Sequence, residues 1–403
     1  MKIVDVAEFY SATGGGVRTY IDRKFAAAAR CGHALTVIAP GPENRVEWRA
    51  GGKLVWLRAP ALPVDKNYHM FWRAADVWRI LDAEAPDVVE GSSPWRGGWL
   101  VGAWGGPAAR HAARVLFMHA DPVAVYPQTL LGHLFSPASI DRIFGWFWCY
   151  LQRLEARFDG CVVAGAWLAD RFRHHGLQRL HATPFGVETR IFRPGLRDEA
   201  MRRAMLERCG LGPEAALMIT VGRHHPEKRV PALIDALTLA QRARPVGLAI
   251  VGDGLAHGAV LAGAARARHV HVAGRIGNRE QLARMLASAD GLLHGSSAET
   301  YGFVVAEALC CGTPIVVPDG GGARDLAQPD YSEIYPAGDR RATGEAVLRL
   351  LARDPAAMRG AALEAGSRIG DLDGHFDRLF ALYGELASAR RARVEDRALD
   401  PVG

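Results

Sequence analysis

Residues 216–222 read ALMITVG, a short apolar and β-branched run that stops at a glycine, and the organisation of the chain turns on what surrounds it. Upstream, runs of the same kind alternate with helical stretches: KIVDVA (2–7), GGVRTYIDRKFAAAARCG (15–32), ALTVIAP (34–40), DVVEG (87–91), RVLFMH (114–119) and GCVVAG (160–165). Strands interleaved with helices predict a parallel sheet wrapped on both faces. ALMITVG starts the pattern again, followed by a helix over 230–243, GLAIVGDG (247–254), HVHVAG (269–274), QLARMLASADGLLHGSS (281–297) and PIVVPDGG (314–321). Two doubly wound α/β units in tandem are therefore predicted, with the last strand ending near residue 318.

The stretch HATPFGVETRIFRPG (181–195), punctuated by Pro184, Gly186, Pro194 and Gly195, reads as the crossing between the units. The expected division is 1–188 and 189–374. A long helical pattern over about 375–395 has to bury its apolar side, and the first unit offers a surface for it. The last ten residues, VEDRALDPVG, read as loose. Rossmann-like sheets place ligands at the carboxyl ends of their strands, so a facing pair puts the working site in the cleft between them.

The 403 residues exceed what one core organises and carry 49% hydrophobic residues, enough for two cores. The net charge of +6 comes from 49 basic and 43 acidic residues mixed along the chain, which argues against nucleic acid and suits phosphate-bearing ligands or an anionic membrane surface. Six cysteines without a CxxC pair point to reduced thiols in a cytoplasmic protein. Lys2 leads into IVDVA with no signal-like apolar region, and the most apolar run, IFGWFWCYL at 143–151, is far shorter than the ~20 residues of a spanning helix.

Four stretches follow predicted strands and should face the cleft. Gly14, Gly15 and Gly16 precede a helix whose first N–H groups can meet anionic oxygen, although a loop needing unusual backbone angles would look the same. His119 ends a strand, where a neutral imidazole could bond a sugar hydroxyl or serve only as a strand-end residue. Arg223 and Lys228 flank a strand-to-helix turn and can converge on one diphosphate, the alternative being a solvated basic loop. In SSAETYGFVVAEALCCGTPIVVP (296–318), Glu299 precedes a helix starting near Gly302 and Glu307 lies about a turn and a half inside it. The N–H groups around Gly302, Phe303 and Val304 would take phosphate oxygens while the two carboxylates accept hydroxyl bonds on either side.

Glu299 and Glu307 with seven residues between them, followed by CGTPIVV and GGG, resemble the signature of the retaining GT-B glycosyltransferases of family 4. VGRHHPEKR, IVGDG, ASADGLLHGSSAE and GVETRIFRP occur in that family's order, so the likeness covers residues 1–330. The resemblance implies a GT-B fold, a nucleotide-sugar donor (UDP- or GDP-linked), no required cofactor or metal, and retention of configuration. It further implies that Glu299 contacts the donor sugar, Glu307 the ribose, and Arg223 with Lys228 the diphosphate. His119 would sit near the transferring carbon, Gly15 and Gly16 would close on the donor, Arg275 and Ile276 would hold the base through backbone, and Tyr301 would join Gly302, Phe303 and Val304 around the phosphates. Phe185 departs from the family, where Asn is frequent before Gly-Val, and this bears on domain geometry.

Glycosyl transfer expels a diphosphate, and cations with a helix start can stabilise it without a DxD-type metal pair. Glycoside hydrolysis fits poorly because its two carboxylates must flank one bond from opposite sides. A nucleotide-sugar epimerase or hydrolase of this architecture is a closer rival. An NAD(P)-dependent oxidoreductase is the third reading, drawn from the GDGLAHG spacing at 252–258. The acceptor is expected to be a hydroxyl compound, lipid-linked if the aromatic segment 126–150 and the nearby Arg142, Arg153 and Arg157 meet an anionic membrane; core packing of that segment is the alternative.

Overall fold

The computed structural model describes residues 1–11, 16–63, 66–132 and 134–399. The first sheet contains β1 (Lys2–Val6), β2 (Ala34–Gly41), β3 (Arg45–Arg49), β4 (Gly52–Arg58), β5 (Val88–Gly91), β6 (Ala113–Met118), β7 (Gly160–Val163) and β8 (Leu180–Ala182). Its order is β3-β4-β2-β1-β5-β6-β7-β8. The second contains β9 (Ala216–Val221), β10 (Val246–Val251), β11 (Val270–Gly274), β12 (Gly291–Leu293), β13 (Ile315–Pro318) and β14 (Ser332–Tyr335), in the order β11-β10-β9-β12-β13-β14. Within the described residues the sheet strands all pair in parallel except β3 with β4, and one isolated antiparallel bridge joins Ala61 to His69. Central strands such as β9 and β10 are buried almost throughout, which is why they read as continuous apolar runs.

Four strands escape the sequence reading. The β3–β4 hairpin is an edge addition whose outer strand, RVEWR, carries charges at three of its five positions, so it lacks the apolar density of the other strands. β8 and β14 have three and four residues, and β14 corrects the expectation that strands end near 318. The helix expected over 230–243 ends earlier, at Ala240.

The crossing segment carries Phe185 into a ring of aromatics. Its centroid lies 5.6 Å from Tyr20, 5.7 Å from Tyr301, 5.2 Å from Phe303 and 4.9 Å from His375. One buried cluster therefore runs from the first sheet through Phe185, Val187 and Phe192 into the second. The helix Leu372–Leu399 packs on the first unit, burying Phe376, Leu379, Phe380 and Tyr383. Its helical extent to Leu399 corrects the reading of residues 394–399 as loose; residues 400–403 lie outside the described residues.

That helix is fastened through a polar group the sequence did not disclose. Lys24 Nζ donates to Asp5 Oδ2 at 2.8 Å and Glu90 Oε2 at 2.6 Å, Ser92 Oγ bonds both carboxylates, and the Tyr383 hydroxyl donates to Glu90. Asp5, Lys24 and Glu90 are wholly buried. Burial, with Glu90 alongside, pushes Asp5 up to about 6. Burial also opposes ionisation of Glu90, but Lys24 and the hydroxyl donors outweigh it and hold Glu90 below its usual range. Among the described residues no helix is long and apolar enough to cross a membrane.

Candidate active site

The C-terminal ends of β9, β10 and β12 meet at one place. A Cβ on Gly252, after β10, would lie 1.9 Å from the Gly222 carbonyl after β9, so only glycine lets these two strand-end loops touch. This accounts for the glycine at 252 in GDG by loop packing. The turn from β9 carries Lys228 at the end of the single 3₁₀ turn Pro226–Lys228, and the side chain folds back against the Glu299 carboxylate. His294, one residue past β12, brings Nε2 to 2.9 Å from Glu299 Oε2, without hydrogen-bond alignment. A small cavity beside them is lined by Thr220, Gly222, His224, Lys228, His294 and Gly295.

The protonation states follow from burial. Desolvation pulls His294 down to about 3 with Lys228 adding to it, so the imidazole is neutral. Lys228 is drawn down to about 8 by burial, with Glu227 opposing and Arg223 assisting that shift, while the carboxylate it touches favours the ammonium form. Among the described residues, five buried polar atoms of this region have no hydrogen-bond partner: His224 Nε2, His225 Nδ1, Arg229 Nη1, His294 Nε2 and Glu299 Oε2. Unsatisfied buried groups cost about 1–3 kcal/mol each, and their concentration here makes this the candidate place for a polar ligand.

Glu299 is positioned by the GGG run. The Gly322 N–H donates to the Glu299 carbonyl at 2.6 Å, and a Cβ on Gly322 would stand 2.3 Å from the Thr300 carbonyl. Gly302, at φ +88°, then turns the chain into the helix Phe303–Cys310. The first helical bonds run from Val305 and Ala306 to the Gly302 carbonyl, which leaves the N–H groups of Phe303 and Val304 outside the helical ladder.

From the first unit, His119 follows β6 and stacks on Phe117 at 4.2 Å with Tyr20 at its edge. Burial lowers it to about 4, so it too is neutral. Its carbonyl accepts from Thr300 Oγ1 at 3.1 Å, joining the β6 end to the Glu299 loop. A second crossing contact runs from the Trp167 N–H to Asp325, 2.9 and 3.0 Å from its two oxygens.

Residues 215–353 match the family model described as glycosyl transferases group 1, and residues 14–191 match that described as glycosyltransferase family 4. The chain is 30% identical over 319 residues, 79% of each chain, to a GDP-mannose-dependent alpha-(1-6)-phosphatidylinositol dimannoside mannosyltransferase of Mycobacterium tuberculosis. The chain belongs to glycosyltransferase family 4. A GDP-mannose-dependent alpha-mannosyltransferase of the same organism is 30% identical over 346 residues, covering 84% of this chain and 85% of the relative. Among solved structures, sucrose-phosphate synthase of Thermosynechococcus elongatus superposes with a TM-score of 0.70 at 19% identity, covering 96% of this chain and all of the other. Anabaena HepE in complex with UDP does so with 0.69 at 16% identity, covering 95% and 99%. These likenesses establish the GT-B fold.

In this family 4 glycosyltransferase the expected site residues fall into groups. Lys228, Glu299, Tyr301, Gly302, Phe303 and Val304 gather at the strand ends of the second sheet, and His119 meets their loop from the first. Arg223 is exposed on the turn before Lys228. Arg275 and Ile276 directly follow β11, two strands from β9 across β10. Gly16 begins the helix Gly16–Arg30, whereas Gly15 lies outside the described residues. Glu307 is buried and its carboxylate accepts from Arg279 Nη2 at 2.9 Å. His294, His224 and Arg279 were not singled out from sequence. The signal for His294 was a histidine closing the apolar run GLL.

Proposed function

We propose that this glycosyltransferase moves mannose from GDP-mannose to a hydroxyl of a membrane-lipid-linked acceptor, with retention and without a divalent metal. The group of Lys228, Glu299 and His294 beside the N–H groups of Phe303 and Val304, which lie outside the helical ladder, carries the reading, and the activities of the relatives support GDP-mannose as the donor. The bond from the anomeric carbon to the diphosphate breaks as charge grows on the leaving oxygens. Lys228, Arg223 and the helix start meet that charge in a site already desolvated. Lys228 then exchanges the Glu299 carboxylate for the diphosphate, and Glu299 and His294 turn their unpartnered atoms to sugar hydroxyls. The acceptor hydroxyl attacks from the leaving-group face and passes its proton to a donor phosphate oxygen. Neutral His119 bonds a sugar hydroxyl near the reacting carbon, and Glu307 accepts from the ribose.

The proposed lobes are 1–188 and 189–374, with 375–395 returning to the first. For the acceptor, Tyr126, Leu130, Phe135, Ile143 and Trp146 are exposed apolar side chains of one segment, while its Phe147, Trp148, Leu151 and Leu154 are core. Leu130 and Trp146 are 69% and 67% exposed, and Arg142 and Arg153 lie in solvent nearby. Apolar side chains beside basic ones suit an anionic bilayer surface. Six free cysteines fit a reducing cytoplasm on the inner side of that surface.

The test is a donor panel of GDP-mannose, GDP-fucose, UDP-glucose and UDP-galactose, presented with phosphatidylinositol-mannoside vesicles in the presence of EDTA. Chain-length growth of the lipid with GDP-mannose alone, and an α-linked product, is expected. Transfer only from a UDP-sugar, an inverted product, or activity abolished by EDTA and restored by Mg²⁺ would overturn the corresponding part of the reading.

A further inference from the structure

Arg279 opens the helix Arg279–Ser288, whose Asn278 cap accepts from the Gln281 N–H at 3.0 Å. From there its guanidinium reaches two carboxylates. Nη2 donates to Glu307 Oε1 at 2.9 Å, and Nε stands 2.6 Å from Glu188 Oε2. The other oxygen of Glu188 accepts from Arg23 Nη2 at 2.6 Å. The guanidinium also lies over the Phe192 ring, 5.0 Å from its centroid. Four alternating charges thus connect the helix Gly16–Arg30, the crossing segment, the helix Arg279–Ser288 and the helix Phe303–Cys310. Only a planar fork can serve two carboxylates and stack on a ring at once.

Exposure along this chain is uneven. The Glu307 side chain is 10% exposed against 48% for Arg279, so the desolvation cost falls on the carboxylate. Burial pushes Glu307 up to about 7, Arg279 pulls it down by charge and hydrogen bond, and Glu188 pushes it up. The thiols on its own helix, Cys310 and Cys311, are raised to about 12 and stay neutral. The helix Pro355–Ser367 packs on this segment through Leu363 and Gly366, and its Glu364 pairs with Arg368 in solvent. The charge balance at Glu307 is therefore set by Arg279, Glu188 and, one link further, Arg23.

We propose that Arg279 is a positioning residue for the nucleotide carboxylate. It favours the ionised form of Glu307 and fixes its direction, Glu188 works against it, and Arg23 of the first unit moderates Glu188 across the domain junction. This rests on the reading of Glu307 as the acceptor of the ribose hydroxyls. Removing either partner's charge then moves the Glu307 titration in opposite directions, which a purely structural bridge does not require.

The experiment is calorimetric titration of GDP across about pH 5.5 to 8.5, where a carboxylate near neutrality changes charge. It uses the wild type, Arg279→Met, Arg279→Lys, Glu188→Gln, Arg23→Met and Glu307→Gln. GDP affinity of the wild type, taken relative to Glu307→Gln at each pH so that the titrations of the GDP phosphate and of Lys228 cancel, is expected to rise with pH through a midpoint near neutrality. Arg279→Met moves the midpoint to higher pH and weakens binding about fivefold at pH 7, as a rise of one pH unit from a midpoint of about 7 implies. Arg23→Met moves it the same way by less, Glu188→Gln moves it to lower pH, and Arg279→Lys, which keeps the charge without the fork, falls between the wild type and Arg279→Met. Arg279→Met and Glu188→Gln moving the midpoint in the same direction, or neither moving it, overturns the proposal. Glu307→Gln binding GDP like the wild type at every pH overturns it as well, by removing the ribose assignment; a loss of binding in Lys228→Ala in that same series would leave the glycosyl-transfer reading standing.

Discussion

The Lys228 ammonium lies against the Glu299 carboxylate although the two come from turns 71 residues apart, and neutral His294 sits beside the carboxylate's second oxygen. Removing Lys228 leaves that carboxylate without a cation in a mostly desolvated place. Lys228→Ala is therefore expected to lower kcat/KM by about 10²–10³ through lost stabilisation of the diphosphate. It is also expected to lower the melting temperature. The double variant Lys228→Ala/Glu299→Gln should recover the melting temperature while staying inactive. Transfer assays with thermal melts check this, and recovery of activity in the double variant would place the chemistry elsewhere.

Glu307, raised to about 7 by burial, makes stability depend on pH with a definite sign. A carboxyl that holds its proton more tightly when folded costs stability once ionised. The cost is absent at low pH and grows as pH rises from about 4.5 to 7, because in that window the native state binds more protons than the unfolded one. The melting temperature of Glu307→Gln relative to the wild type is expected to rise across this window and then level off. A constant difference from pH 4.5 to 8 would show that Glu307 does not titrate there.

Lys24 serves two carboxylates with no access to water. Breaking such a group by removing one partner costs about 3–5 kcal/mol, because a buried charge is left uncompensated. Lys24→Met is expected to show that loss in urea unfolding. Lys24→Met combined with Asp5→Asn and Glu90→Gln should recover part of it. A loss below about 1 kcal/mol in the single variant would mean the network is solvated.

The exposed group at Tyr126, Leu130, Ile143 and Trp146 is expected to hold the enzyme on anionic vesicles. Ile143→Ser/Trp146→Ser should abolish flotation with phosphatidylinositol vesicles at low salt. Hydrolysis of GDP-mannose in detergent-free solution should be unchanged. Equal flotation of variant and wild type would assign the patch to something other than a bilayer.

The repeated strand–helix pattern was legible because buried parallel strands are apolar on both faces, and ALMITVG alone is enough to start a second sheet. β3, β4, β8 and β14 were not legible: β3, β8 and β14 are short strands at sheet edges that owe their pairing to neighbours rather than to their own composition, and β4 is the other arm of the β3 hairpin. At the site, Lys228, Glu299, Gly302 and His119 stood at strand or helix ends, where sequence position predicts direction. His294 closes a strand equally well but looked like one more residue of a strand end. The pairing of Arg279 with Glu188 and Glu307 depends on three separate segments, and Tyr383 reaches Glu90 from 293 residues away. No local pattern records such contacts. Phe185 was read as a matter of domain geometry, and its place among Tyr20, Tyr301, Phe303 and His375 is at the junction of the two units.

The central claim is that a nucleoside diphosphate binds through its phosphates at Lys228 and the start of the helix Phe303–Cys310. Calorimetric titration of GDP and of guanosine into the wild type and Lys228→Ala, at fixed pH and salt, tests it most directly. Charge-assisted contacts should make GDP bind the wild type about tenfold or more tighter than guanosine, and Lys228→Ala should remove most of that difference. Equal affinities for GDP and guanosine, or a Lys228→Ala variant that binds GDP as the wild type does, would contradict the account.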